Sequence, residues 1–298
     1  MTVEDERPIE DAQPPEDGRP IEDDQPLEEH AAVRTAGRHL GSGSQMTRAD
    51  WIRLGLRGTG QTLITAGVVI LLFVVYELWV TNIFAHEEQV KVHKQLEKEW
   101  AEGTDPLAPG KLTLPNGKQG TIPTGIGIAN LYIPRLGTDY HFTIVQGTDD
   151  ASLERGPGHY VDTALPGQVG NFAVAGHRVG KGEPFLNLDH LRPGDAVVIE
   201  TKSEWYIYRV KGNVQTGDLN NTGADGIPGR EIVSPSDVAV IAPVPDQPGT
   251  TPTEKMMTMT TCQPKFTANQ RMIIFSALSR VVPRVGTQLP KELVGGTL

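Results

Sequence analysis

Residues 256–279 read MMTMTTCQPKFTANQRMIIFSALS, two apolar runs separated by a short polar segment. Both runs are rich in residues that favour β-strands, and Pro264 must end the first one because proline cannot donate to a strand ladder. We therefore expect a hairpin across the loop 263–270, which brings the guanidinium of Arg271 near the thiol of Cys262. A thiol at such a strand edge is either a small buried hydrophobe or a reactive nucleophile.

Shorter runs with a period of two extend this pattern upstream to Ile126, separated by turns rich in Gly, Pro, Asn and Asp. The predicted strands are 128–133, 139–146, 171–175, 196–201, 205–210, 256–261 and 272–279. Many short strands with such turns are typical of a single β-barrel or sandwich, here spanning residues 126–283. Short helical pieces are expected at 149–155 and 184–191, and the tail 284–298 is expected to be irregular.

Residues 58–80 read GTGQTLITAGVVILLFVVYELWV, with one charged residue, Glu77, near the end. About 20 apolar residues suffice to cross a bilayer as a helix, and the stretch begins too far along the chain for a cleaved signal peptide. Positive charge is concentrated before the span, at Arg34, Arg38, Arg48, Arg53 and Arg57, and is balanced after it. The positive-inside rule then predicts a single-pass cell-membrane protein that contacts lipid through this span, with a cytoplasmic N-terminus and an extracellular body.

The segment that follows the span, residues 86–102, has Val92, Leu96 and Trp100 at helical spacing and ends before Gly103. It is predicted to be a stalk helix. The helix is either a solvated continuation of the membrane helix, which we favour, or a helix that contacts a partner or the membrane surface. Residues 103–125 contain several prolines and glycines and are predicted to form a linker, so that stalk and linker occupy residues 81–125.

The chain has 298 residues, 27 Lys and Arg against 37 Asp and Glu, and a net charge of −10. Twelve acidic residues and two arginines lie within residues 1–29, so that the rest of the chain is neutral. A neutral body excludes a nucleic-acid partner, since binding phosphates requires a basic surface. One cysteine also excludes an intramolecular disulfide and a Cys-rich zinc site. Residues 1–57 are predicted to be a disordered acidic tail, either a spacer or a docking segment, that turns basic before the span.

A thiol nucleophile requires a base, and four histidines lie within the predicted β domain: His141, His159, His177 and His190. His177 follows the predicted strand 171–175 through Gly176, which we expect to let the backbone turn so that the imidazole projects from the strand end. Taken one at a time, Cys262, His177 and Arg271 are each more often structural than catalytic. Their combination is what indicates a site.

Three segments in this order, Ala175-Gly176-His177-Arg178, Thr260-Thr261-Cys262 and Arg271, resemble the catalytic signatures of sortases, the membrane-anchored cysteine transpeptidases of Gram-positive surfaces. Other segments are similar to class E sortases of actinobacteria: Ile133-Pro134-Arg135-Leu136-Gly137, Val145-Gln146-Gly147-Thr148, Arg155-Gly156-Pro157-Gly158-His159-Tyr160, Ala164-Leu165-Pro166-Gly167 and Gly170-Asn171-Phe172. The resemblance implies a mainly β fold, a single eight-stranded sortase barrel with short helices. It also implies Cys262 as nucleophile, His177 as general acid/base and Arg271 as the stabiliser of the oxyanion.

The same resemblance implies cleavage of a Thr-Gly bond in a C-terminal sorting signal of secreted proteins, Leu-Ala-x-Thr-Gly or Leu-Pro-x-Thr-Gly, and transfer of the Thr to a peptidoglycan amine. Tyr160 and Thr261 are the implied substrate-binding residues, although Tyr160 also fits a packed turn aromatic, and Arg178 is expected to be exposed. The sequence contains no phosphate loop, calcium loop or HExxH motif, which predicts an enzyme without a cofactor or metal. Two alternatives stay open: a cysteine peptidase that releases its product to water, and a non-catalytic surface module with Cys262 buried.

Overall fold

The computed structural model describes residues 46–76, 81–108 and 122–294, so that residues 1–45 of the predicted tail and most of the predicted linker lie outside the described residues. Residues 48–57, at the end of that predicted tail, are helical. Helix α1, Arg48–Val75, begins ten residues before the predicted span. Thr47 and Asp50 set its start, because the Asp50 amide donates to Thr47 Oγ1 (3.3 Å) and the Thr47 amide donates to Asp50 Oδ2 (3.1 Å). Among the described residues α1 is the one helix long and apolar enough to cross a membrane, and none of its residues is buried.

The described β-strands form one sheet of nine. They are β1 (Gly127–Tyr132), β2 (His141–Gln146), β3 (Gly158–His159), β4 (Gly170–Ala175), β5 (Ala196–Glu200), β6 (Glu204–Val210), β7 (Arg230–Val233), β8 (Lys255–Gln263) and β9 (Gln270–Pro283). The order is β6-β5-β1-β2-β3-β4-β8-β9-β7, and β9 also pairs with β6. The first half of β9 pairs with β8 and its second half with β6, so that eight strands close the predicted barrel. Strand β7 is added outside this barrel on the edge of β9.

The largest apolar cluster draws on seven of these strands and fills the barrel. On β8 the two faces contact different clusters: Met257 and Met259 belong to this core, whereas Met256 belongs to a second cluster on the outer face, together with Ile273 of β9. The alternation follows from the strand itself, since successive side chains lie on opposite faces. Cys262 is an even number of residues from Met256, so that its side chain is directed to the outer face.

Two short helical segments lie in the connections between strands, at Asp150–Leu153 and Leu188–His190. Helix α3, Asp150–Leu153, begins after Asp149, whose side chain accepts a hydrogen bond from the Ser152 amide at 3.1 Å. It confirms the predicted helical piece at 149–155 but is shorter. The predicted piece at 184–191 contains a single 3₁₀ turn, Leu188–His190.

The C-terminal tail beyond β9 has no helix or strand in its described part, to Val294. It is nevertheless attached to the barrel through Glu292, whose side chain is 4% exposed. This carboxylate accepts from Arg209 at 2.7 Å and from Arg280 of β9. A buried carboxylate between two guanidiniums keeps its charge, so the tail is fixed although it is irregular.

Helix α2, Thr81–Ala101, packs against β1 and β2. Val92, Leu96 and Trp100 form its apolar stripe and are buried. Gln89 adds a polar contact with β2: its Oε1 accepts from the Thr143 amide (2.8 Å), and its Nε2 donates to the Thr143 carbonyl (3.1 Å). The expectation that this helix is a solvated continuation of the membrane helix is therefore wrong, because the barrel covers its apolar stripe.

Candidate active site

Cys262 lies near the end of β8 and pairs directly with Arg271 near the start of β9. This register confirms the predicted hairpin. Directly opposed residues of an antiparallel pair point to the same face of the sheet, so the thiol and the guanidinium share one face. Cys262 is half-buried, which leaves part of the residue in contact with solvent.

The pairing of β4 with β8 brings His177 to the other side of the thiol. In this parallel pair Ala175 lies opposite Thr260, and the Gly176 amide continues the ladder by donating to the Thr260 carbonyl at 3.0 Å. His177 lies two residues beyond Ala175, as Cys262 lies two residues beyond Thr260, so both residues follow the last paired position of the β4–β8 ladder. Because β8 lies between β4 and β9, the segment that carries Cys262 lies between the segments that carry His177 and Arg271, at one end of three adjacent strands.

Gly176 is required before His177 for a steric reason. A Cβ at this position would lie 2.5 Å from Cδ2 and 2.8 Å from Cε2 of Phe185, a fully buried ring. Phe185 is held in place by its amide, which donates to the His177 carbonyl at 3.0 Å. The strand ends at Ala175, directly before Gly176, and Gly176 does not have a positive φ. Its missing side chain lets the ring close over the segment that carries the imidazole.

The imidazole of His177 is half-buried, and its Nε2 makes no hydrogen bond to any described residue. Burial lowers the pKa of His177 and the positive charge of Lys181 lowers it further, while Asp150 and Glu154 act in the opposite direction. The imidazole is therefore mostly neutral at neutral pH. A ring with an unoccupied nitrogen and a pKa below its ordinary range can accept a proton and return it, as general acid/base catalysis requires.

Arg271 is a cation that no described carboxylate neutralises. Its Nη1 donates to two main-chain carbonyls, those of Ala268 at 2.9 Å and Gln270 at 3.1 Å. Lys181, by contrast, is paired with Glu154 at 2.9 Å. A guanidinium that is held only by neutral carbonyls keeps its full charge for an anion that forms beside it.

Arg178 is 3% exposed, which overturns the expectation that it is an exposed neighbour of His177. Its Nη1 donates to the Cys262 carbonyl at 3.3 Å and to the side chain of Gln263, and its Nη2 lies 3.2 Å from Asp189 Oδ1. The guanidinium thus connects the segment after His177 to the end of β8. The sequence does not predict this role. Arginine side chains are usually exposed, and the acceptors that surround this one come from distant segments.

The two predicted substrate-binding residues lie on opposite faces of β8. The Tyr160 hydroxyl is hydrogen-bonded to Thr260 Oγ1 at 3.0 Å, and Thr260 shares the face of Cys262 because it lies two residues before it. Thr261 is 2% exposed, and its hydroxyl donates to the Gly176 carbonyl at 2.8 Å. The structure thus brings Tyr160 to the face of the thiol and engages Thr261 in the contact between β4 and β8. Substrate binding by either residue stays a prediction.

The described residues contain no group of three or more His, Cys, Asp or Glu side chains that could hold a metal ion. The absence of a cofactor stays a prediction as well. A cavity of about 300 Å³ opens at the opposite end of β8, lined in part by Asp225, Ile227 and Met256. Met256 and Cys262 are six residues apart, about 20 Å along the strand, so this cavity is separate from the cluster around the thiol.

Comparison with known proteins gives the same family by three routes. The model of the sortase domain matches residues 131–279. Sortase SrtE1 of Streptomyces coelicolor is 36% identical over 237 residues, which cover 76% of this chain and 58% of that protein. Sortase SrtE2 of the same organism is 31% identical over 245 residues, covering 78% of this chain and 86% of the relative. The structure of SrtF sortase from Corynebacterium diphtheriae is 43% identical, covers 58% of this chain and 95% of that chain, and has a TM-score of 0.52.

Proposed function

The chain belongs to the sortase family of cysteine transpeptidases, and we propose that it cleaves a Thr-Gly bond in the C-terminal sorting signal of secreted proteins and joins the Thr to a peptidoglycan amine. In this proposal Cys262 is the nucleophile, His177 the general acid/base and Arg271 the stabiliser of the oxyanion. The observation that supports these roles best is the arrangement of the strands: Cys262 lies opposite Arg271 of β9 on one side, and on the other side β8 pairs with β4, which ends two residues before His177.

The chemistry that these residue types allow has two halves. The thiolate of Cys262 attacks the carbonyl carbon of the Thr, and Arg271 stabilises the negative charge that develops on the oxygen. The protonated imidazole of His177 donates its proton to the Gly nitrogen, so that the carbon–nitrogen bond breaks and a thioester remains on the sulfur. The neutral imidazole then takes a proton from the incoming amine, which attacks the thioester and releases the thiolate.

The protonation states that these reaction steps require make the enzyme slow at neutral pH. Because burial and the charge of Lys181 lower the pKa of His177, few molecules hold a protonated imidazole together with a thiolate. Below the pKa of His177 the imidazole is already protonated while the thiolate fraction falls, so the acid limb of the pH profile follows His177. We expect a bell-shaped profile of kcat/KM, and constant activity from about pH 5 to 10 would contradict the pairing.

We also propose that α1 anchors the chain in the cell membrane. Its length and apolar composition support a span, and the excess of arginines on its N-terminal side supports a cytoplasmic N-terminus and an extracellular barrel. Protease added to intact cells should then digest the barrel and spare an N-terminal epitope. Protection of the barrel in intact cells would exclude this orientation.

The decisive experiment incubates the full chain in detergent with Leu-Ala-x-Thr-Gly and Leu-Pro-x-Thr-Gly peptides, with and without an added amine such as diaminopimelate. We expect a thioester mass adduct on Cys262 and a peptide–amine product. Cys262→Ala should abolish both, and Arg271→Lys should lower kcat/KM by about tenfold or more, because lysine keeps the charge but loses the planar fork. Arg280→Lys is the matched control on the same strand, since Arg280 is paired with Glu292 away from the thiol.

The outcomes separate the proposal from its alternatives. Cleaved peptide whose amount does not respond to the amine would identify a peptidase that uses water as acceptor. A protein whose Cys262 forms no adduct with either peptide, and resists a small alkylating reagent in the folded state, would be a non-catalytic module. Equal losses in Arg271→Lys and Arg280→Lys would refute the role of Arg271.

A further inference from the structure

Four consecutive residues, 180–183, which lie shortly after His177, adopt left-handed backbone conformations. The φ angles are 69° at Gly180, 51° at Lys181, 77° at Gly182 and 39° at Glu183, and the Glu183 amide donates to the Gly180 carbonyl at 2.9 Å. We call this segment the left-handed turn, residues 180–183. The two glycines adopt it freely, but Lys181 and Glu183 each pay about 1–2 kcal/mol because their Cβ atoms crowd the backbone. Such a segment persists only where its surroundings hold it in place.

Asn82, in the first turn of α2, supplies the contacts that hold the left-handed turn. Its Nδ2 donates to Glu183 Oε1 at 3.0 Å, and its Oδ1 accepts from the Gly182 amide at 3.0 Å. The backbone also lies close to the helix, since a Cβ added at Gly182 would be 3.2 Å from Cβ of Ala85, a buried residue. One amide side chain therefore satisfies both a main-chain donor and a side-chain acceptor of the turn.

The left-handed turn acts on His177 through Lys181. The positive charge of Lys181 contributes to lowering the pKa of His177, after burial. Lys181 Nζ is also paired with Glu154 Oε1 at 2.9 Å. The other charged groups that act on the imidazole, Asp150 and Glu154, both raise its pKa. The position of the lysine therefore affects both the charge balance around the base and the ion pair beside it.

We propose that Asn82 is a positioning residue that holds the left-handed turn against α2 and thereby fixes Lys181 beside His177. This inference rests on the proposed role of His177 as general acid/base. It makes the first turn of α2 a part of the active site's support, although Asn82 touches neither the thiol nor the imidazole. Since Asn82 follows the end of α1 by only seven residues, the contact lies where the chain leaves the predicted membrane span.

The test uses the full chain in detergent, with Asn82→Ala, Lys181→Gln and the double variant, and with Gln95→Ala as control. Gln95 is an exposed amide on the same helix, and its side chain donates to Glu99, one turn away. The titration of His177 is followed by NMR of histidine-labelled protein, with the signal assigned from His177→Gln. The pH profile of peptide cleavage and the thermal midpoint are measured on the same samples. Alanine favours a helix more than asparagine does, so the variant does not weaken α2 itself.

We expect the pKa of His177 to rise in Asn82→Ala and in Lys181→Gln, the acid limb of kcat/KM to move to higher pH in both, and Gln95→Ala to match the wild type. Loss of positioning should also lower kcat by about tenfold in Asn82→Ala, with KM for the peptide unchanged. In the Lys181→Gln background, Asn82→Ala should no longer raise the pKa. A His177 titration in Asn82→Ala that superimposes on the wild type, or an undiminished shift in the double variant, would overturn the proposal. If the wild type shows no cleavage at all, the proposed function fails, while the NMR titration still decides the role of Asn82.

Discussion

Replacing Gly176 with alanine tests whether the packing of Phe185 sets the position of His177. The new methyl carbon would lie 2.5, 2.8 and 2.9 Å from three ring atoms, where carbons ordinarily stay about 3.5–4.0 Å apart. Because the ring is fully buried, a displacement of about 1 Å must be shared with the segment that carries His177. Such overpacking costs roughly 1–3 kcal/mol, and the stiffer unfolded chain returns about 0.4–1 kcal/mol. We expect a net loss of about 1–2 kcal/mol in the free energy of unfolding and about a hundredfold loss of kcat/KM.

Denaturant unfolding of the full chain measures the free energy of unfolding, and peptide cleavage measures kcat/KM. Phe185→Leu provides the control. Leucine removes the ring atoms that the new methyl group would meet. The double variant should therefore be more stable and more active than Gly176→Ala alone, with a coupling energy of about 1 kcal/mol or more, as expected of residues in contact. If the two substitutions simply add, the ring is not what requires glycine at this position, and the steric account of the site is wrong.

Three further predictions concern the surroundings of the thiol. Arg178→Gln removes a buried guanidinium and should cost about 3–5 kcal/mol in denaturant unfolding, whereas Lys98→Gln, which breaks an exposed ion pair with Glu102, should cost about 1 kcal/mol or less; equal losses would contradict the positioning role of Arg178. Tyr160→Phe should lower the ratio of kcat/KM for Leu-Ala over Leu-Pro signals, and an unchanged ratio would separate Tyr160 from substrate choice. Burial lowers the pKa of His159 to about 4, below the value of about 6.5 for the imidazole in the unfolded chain. Between these two pH values the unfolded state binds more protons than the folded state, so the free energy of unfolding falls as the pH decreases. His159→Gln should remove that decrease, at most about 3 kcal/mol between pH 6.5 and 4, and an unchanged pH dependence of unfolding would contradict it.

The strands of the barrel follow from the sequence where the apolar pattern is long enough to show its period. Strands β3 and β7 do not, because Gly158–His159 is two residues long and Arg230–Val233 begins with two charged residues at a sheet edge. The closure of the barrel also cannot be predicted from the strand pattern. It depends on β9 being long enough to pair with two different strands, and the choice of β6 as the second partner is made by packing between distant segments.

In the candidate site, too, contacts between residues close in sequence are predictable, whereas contacts between distant segments are not. The approach of Cys262 to Arg271 is predictable because the two residues are only nine positions apart, on the two strands of one hairpin. His177 is recognisable because it closely follows the end of a strand. The strand that pairs with β4 beside it, β8, cannot be predicted from the strand pattern alone. The burial of Arg178, the left-handed turn and its contact with Asn82 depend on acceptors and donors that lie about 80 to 100 residues away, and no periodicity encodes such partners.

The segments that carry Cys262 and His177 lie where the parallel ladder of β4 and β8 stops, and this position explains why side-chain bonds connect the two segments. Parallel neighbours cannot be joined by a tight hairpin, so β4 and β8 are connected through β5, β6 and β7. Beyond Gly176 two side chains continue the connection, in opposite directions: Thr261 bonds the Gly176 carbonyl at 2.8 Å, and Arg178 bonds the Cys262 carbonyl at 3.3 Å. Each bond fixes Cys262 or a residue next to Cys262 or His177. The relative position of these two segments therefore depends on Thr261 and Arg178, whereas Arg271 is fixed by backbone pairing with β8 and with Val233 of β7.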